Sequence, residues 1–106
     1  MALARISIQP KAKVGEAVPV RLVIQHAMET GFRVEPDGSV VKKNLIKWIT
    51  CKYAGRDVWR AETGSGISAN PYFEFFIRAD KSGDIEVNWE DDASEKGAVS
   101  AKLEVA

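Results

Sequence analysis

Apolar residues at every second position govern this sequence. Over residues 17–25, Val18, Val20, Leu22 and Ile24 point one way while Arg21 and Gln25 point the other. Only an extended strand turns a period of two into one apolar and one polar face. The same alternation begins with Ile6 and Ile8 and returns over residues 46–53, 57–63, 72–79, 84–90 and 98–105. Phe73, Phe75 and Ile77 are in phase in the fourth of these six runs after the first, as are Ile85, Val87 and Trp89, and then Val99, Ala101, Leu103 and Val105, in the two that follow. Seven strands are therefore predicted, and no segment sustains a helical period.

Turn chemistry separates the strands at short intervals: Gly15 after Lys13-Val14, Asp37-Gly38, Ala54-Gly55, Gly64-Ser65-Gly66, Ser82-Gly83-Asp84 and Glu95-Lys96-Gly97. Asp37-Gly38 lies between Phe32–Val34 and Ser39–Val41, a pattern that predicts a small extra hairpin between the second and third main strands. Short, regularly spaced strands with no βαβ spacing point to an all-β fold, an immunoglobulin-like antiparallel β-sandwich of about seven strands. With neither repeat nor linker in view, residues 1–106 are taken as one domain. Phe73, Phe75 and Trp89 face inward in this scheme and belong to its core.

Charge and composition narrow the function classes. Fifteen basic and fifteen acidic residues cancel and are interspersed, so the chain lacks the concentrated positive face that nucleic acid requires. The segment MALARISIQP has one arginine and no apolar run of the ~7–15 residues of a secretory signal, and no run approaches the ~18 residues of a membrane-spanning helix. Taken alone, the sequence reads as cytoplasmic, with no membrane partner. One cysteine makes no internal disulfide and is too few for a structural zinc site.

Catalytic chemistry is sought and not found. A sandwich holding His26, Cys51 and Met28 invites comparison with blue copper, but that centre needs two histidines and this chain has one. Gly64-Ser65-Gly66 lacks the spacing of a G-x-S-x-G nucleophile turn, and no phosphate-cradling glycine loop is present. The chain is thus read as carrying no catalytic, cofactor-binding or metal site. Cys51 alternates with Ile49 and Tyr53 and reads as a small buried hydrophobe rather than a reactive thiol. Asp91 and Asp92 read as a solvated turn.

Two features remain. His26 and Met28, in HAMETG (residues 26–31), continue the core-facing register of Val18 to Ile24 to the end of the sandwich, where Gly31 allows a turn. They are expected to close this corner, the imidazole satisfying loop carbonyls, or to offer a polar contact to a partner. Trp48, Tyr72 and Phe76 fall out of phase with the inward residues of their strands, and outward aromatics mark protein interfaces. These five residues form the candidate partner interface, covered either by a partner or by the chain's own loops.

HAMETG, then Ser68-Ala69-Asn70-Pro71-Tyr72-Phe73-Glu74-Phe75, then Ile85-Glu86-Val87-Asn88-Trp89-Glu90-Asp91, in this order and over nearly the whole chain, resemble the SoxZ family of the bacterial sulfur-oxidation (Sox) system. The resemblance implies a non-catalytic, immunoglobulin-like subunit of a heterodimer with SoxY. In that system SoxY carries sulfur intermediates on a cysteine in a flexible C-terminal Gly-Gly-Cys-Gly-Gly arm and presents them to the other Sox enzymes. This chain ends Ala101-Lys102-Leu103-Glu104-Val105-Ala106, without such an arm, and mid-strand Cys51 cannot replace one. The resemblance further implies a periplasmic location, reached by export together with a signal-bearing partner. The alternative from fold alone is a generic immunoglobulin-like binding or chaperone module.

Overall fold

In the computed structural model, which describes residues 3–64 and 66–106, the alternating segments become strands. Eight form among these residues: β1 (Leu3–Ser7), β2 (Lys11–Ala12), β3 (Ala17–Gln25), β4 (Ile46–Tyr53), β5 (Arg56–Glu62), β6 (Tyr72–Arg78), β7 (Gly83–Asp91) and β8 (Lys96–Val105). They make two sheets, β1-β3-β6 and β2-β8-β7-β4-β5, packed as an immunoglobulin-like sandwich. The predicted seven strands are all present, the first running from Leu3 instead of starting at Ile6. The eighth, β2, pairs parallel with Glu104 and Val105 of β8, so the larger sheet is mixed rather than purely antiparallel. Two residues are too few for an alternation to reveal.

Inward side chains meet as the pattern dictates. Val18, Val20, Leu22 and Ile24 of β3 pack against Ile49, Cys51 and Tyr53 of β4, Ile85, Val87 and Trp89 of β7, and Leu103 of β8, all buried. Each large apolar side chain so placed stabilises the fold by about 1.5–3 kcal/mol. Phe75 is buried too, but Phe73 is only half-buried at the rim. Trp59 of β5, which the sequence did not single out, closes that rim by stacking on Phe75 at 4.1 Å and meeting Phe73 edge-on at 5.8 Å.

Two turn expectations change. The Asp37-Gly38 hairpin is present but held by a single bridge, Val34 with Val40, and by amides of Glu35 and Val41 donating to the carbonyls of Ser39 and Arg33. The predicted turn at Glu95-Lys96-Gly97 is instead made three residues earlier, around Asp92–Ser94, with Ser94 at φ +63° and its amide donating to the Asp91 carbonyl. Lys96 and Gly97 already belong to β8. Gly97 lies opposite Trp89, and a Cβ there would run into the indole ring, so this glycine serves a close approach rather than a bend. Ser65 of the Gly64-Ser65-Gly66 turn, like Met1 and Ala2 of the N-terminal segment, lies outside the described residues.

Candidate functional site

The five candidate residues separate into three places. Tyr72 and Phe76 are 57% and 64% exposed on the outer face of the three-stranded sheet. Val23 and Pro19 of β3 lie opposite them, and an Arg21–Glu74 ion pair of 2.8 Å sits between the two rows. Val23 and, on β1, Leu3 are also exposed, and Arg5 and Arg78 share this face, so apolar and charged side chains alternate across it. Glu74 lifts the Arg21 guanidinium above its ordinary pKa.

Trp48 sits on the other sheet. Its neighbours across β4 are Glu62 of β5 and Glu90 of β7, and the Arg60 guanidinium lies 6.0 Å above its ring. The ring is half-buried, so Trp48 does not share one continuous face with Tyr72 and Phe76. Alternation tells which way a side chain leaves its own strand; it does not tell which sheet that strand joins.

His26 and Met28 close the end of the sandwich from inside, both buried, His26 at 8% exposure. Met28 turns the chain with φ +52°, and Gly31 follows at +91°. The Met28 amide donates to His26 Nδ1 at 3.0 Å, so that nitrogen is an acceptor and Nε2 carries the proton. Nε2 then donates to Asp91 Oδ2, also at 3.0 Å. The imidazole is therefore satisfied by an amide and a carboxylate, not by the loop carbonyls expected from sequence. Around it, the His26 amide donates to Asn70 Oδ1, the Asn70 amide returns a bond to the His26 carbonyl, and the Ile46 amide points at Met28 Sδ.

Asp91 corrects the expectation of a solvated turn. It is 1% exposed, and its second oxygen accepts the amides of Ala93 and Glu95 at 3.0 and 2.9 Å. Burial alone would raise the carboxyl's pKa, but the His26 bond and these amides together bring it below the ordinary value. Asp92 beside it is exposed as expected, with Oδ2 accepting the Leu45 amide. A histidine and an aspartate 65 residues apart cannot be paired from local spacing. The one available signal was Asp91 in phase with the inward Val87 and Trp89.

Cys51 is fully buried, and burial pushes its thiol up to about 11. Among the described residues, no three His, Cys, Asp or Glu side chains cluster as a metal site would need. Among the same described residues, no helix is long and apolar enough to cross a membrane.

Comparison with known proteins follows the fold. No curated protein sequence matches the chain. Among solved structures, a superoxide reductase (neelaredoxin) from Ignicoccus hospitalis superposes with a TM-score of 0.74 at 18% identity, covering 97% of this chain and 80% of that one. A putative superoxide reductase from Thermotoga maritima gives 0.74 at 18% identity, covering 97% and 85%. The sulfur carrier protein SoxY from Chlorobium limicola f thiosulfatophilum gives 0.67 at 12%, covering 97% and 78%. At these identities the likeness shows a shared fold. Sequence goes further: the family described as sulphur oxidation protein SoxZ matches residues 6–102, and the chain belongs to that family.

Proposed function

We propose that this chain is the scaffold subunit of a heterodimeric, SoxYZ-like sulfur carrier in thiosulfate oxidation. The covalent carrier cysteine in this reading is on a SoxY-like partner with a C-terminal Gly-Gly-Cys-Gly-Gly arm. The SoxZ match over residues 6–102 is the observation that carries it. The chemistry of Cys51 supports the division of labour. A thiol attacks or carries sulfur as an accessible thiolate, and Cys51 is fully buried with its pKa raised. This subunit then holds and presents the partner, serves the other Sox enzymes indirectly, and takes no catalytic step itself. The same reading locates it in the periplasm, carried there with a signal-bearing partner.

Purification of the tagged chain from a thiosulfate-oxidising host tests this directly. The expected result is a stoichiometric partner ending in Gly-Gly-Cys-Gly-Gly, a periplasmic pool on fractionation, and, after exposure to thiosulfate and oxidant, a sulfur adduct on the partner by intact mass. An adduct on Cys51 would overturn the division of labour. Recovery with an unrelated partner, or alone, favours a generic binding module instead.

A further inference from the structure

Four strands end the two sheets, and three of them carry devices that discourage pairing with another chain. β2 is two residues long, β1 is five, and β5 has Arg56, Asp57, Arg60 and Glu62 among its seven residues. β6 differs. It runs Tyr-Phe-Glu-Phe-Phe-Ile-Arg with no proline, glycine or lysine, and it pairs on one side only, with β3. The Ile24 amide donates to the Pro71 carbonyl and the Ala79 amide to the Glu16 carbonyl. Odd-numbered residues therefore bond towards β3, and the backbone groups of Tyr72, Glu74, Phe76 and Arg78 face the open edge. A groove of about 380 Å³ lies beside it, lined by Phe76 and Arg78 on this side and by Arg56, Asp57 and Val58 of β5 on the other, with an Arg56–Asp80 ion pair at one end.

We propose that β6 pairs antiparallel with the β6 of a second copy of this chain, about a twofold axis at Phe76, so that the two three-stranded sheets become one of six. The order of side chains selects both occupant and register. With the axis at Phe76, the two Phe76 rings meet and Glu74 of each copy faces Arg78 of the other. On the inner face Phe75 meets Ile77, so the apolar layer continues across the join. Opposite-charge and aromatic pairs directly across an antiparallel ladder are favourable, and like charges there are not. An axis at Glu74 or Arg78 sets like charges together, one at Ile77 sets Glu74 against Asp80, and one at Phe75 leaves both charges unmatched. Arg78 now donates to the Gly15 carbonyl, a neutral oxygen that leaves its charge available to a carboxylate. Such a self-matching patch is what a closed twofold dimer requires. The proposal goes beyond the sulfur-carrier reading and stands without it.

Sedimentation velocity on the full chain alone, from about 10 µM to about 1 mM, spans the range in which weak pairing populates. The expected result is a reversible dimer. Glu74→Arg and Arg78→Glu should each weaken it by about tenfold or more, since each substitution sets two like-charge pairs across the ladder. The double charge swap, made together with Arg21→Glu so that residue 74 keeps an opposite charge on β3, should restore it. Hydrogen exchange of the unmodified chain provides a second readout that needs no variant: the amides of Tyr72, Glu74, Phe76 and Arg78 should become protected with rising concentration. A monomer throughout, a dimer indifferent to the single variants, or a swap that fails to rescue would overturn the proposal. So would protection of these four amides only when a SoxY-like subunit is added, which would assign the edge to that partner.

Discussion

The hydrogen bonds that converge on buried Asp91 make this fold sensitive to acid. A carboxyl whose folded-state pKa lies below its unfolded value contributes stability that is present above the unfolded value, about 4, and lost as pH falls through the folded one. Asp91 is such a group, as are the half-buried Glu16, Glu29 and Glu90 and the exposed Asp80. Asp91→Asn should therefore flatten, without abolishing, the loss of stability below about pH 4, measured by urea unfolding between pH 3 and 7. It should also destabilise at neutral pH, because the amide nitrogen must face either the His26 Nε2–H or the Ala93 and Glu95 amides, all of them donors. His26→Ala leaves the Asp91 carboxylate short of a partner in the interior. The expected cost is about 2–4 kcal/mol, read as a clear fall in the melting temperature of the isolated subunit. An unchanged melt would show that the corner is not held by this pair. At Cys51 the prediction is kinetic silence: a thiol reagent at mild alkaline pH should label the urea-unfolded chain and leave the folded one untouched. Cys51→Ser should leave carrier function intact and cost about 1–3 kcal/mol if the hydroxyl finds no partner.

Elements with a full period of alternation were legible in sequence, and those that depend on a distant neighbour were not. β3 and β7 declare themselves because four and three inward apolar residues repeat at every second position. β2 has no room to repeat, and its pairing is with the far end of the chain. Gly97 looked like turn chemistry because glycine commonly bends the backbone, whereas here it clears space for the Trp89 ring across the ladder. Gly97→Ala should accordingly destabilise by about 1–3 kcal/mol through overpacking, seen as a lower urea midpoint with unchanged slope. The hairpin between β3 and β4 gives the opposite expectation. Phe32 is 84% exposed there, so Phe32→Ser should shift the unfolding free energy by no more than about 0.5 kcal/mol. Of the candidate site, the outward aromatics of β6 were readable from phase alone. The His26–Asp91 bond was not, since it joins the ends of β3 and β7 through a contact that no local pattern encodes.

Across the whole molecule, residues 3–12 give one strand to each sheet, and the second of them makes the parallel pairing seen among the described residues. β1 runs along β3 in the smaller sheet, and after Pro10 the chain passes to the larger one, where β2 lies parallel to the end of β8. The Glu104 amide donates to the Pro10 carbonyl and the Ala106 amide to that of Ala12. Because β2 and β8 run the same way, the start of one and the finish of the other lie at opposite ends of their contact. Tension applied between Pro10 and the end of β8 therefore loads these hydrogen bonds lengthwise and together, as a lap joint is loaded, instead of peeling them one at a time. The joint is only two residues long. A molecule pulled between these two points should yield there first, releasing β2 from the larger sheet while the core strands stay bonded.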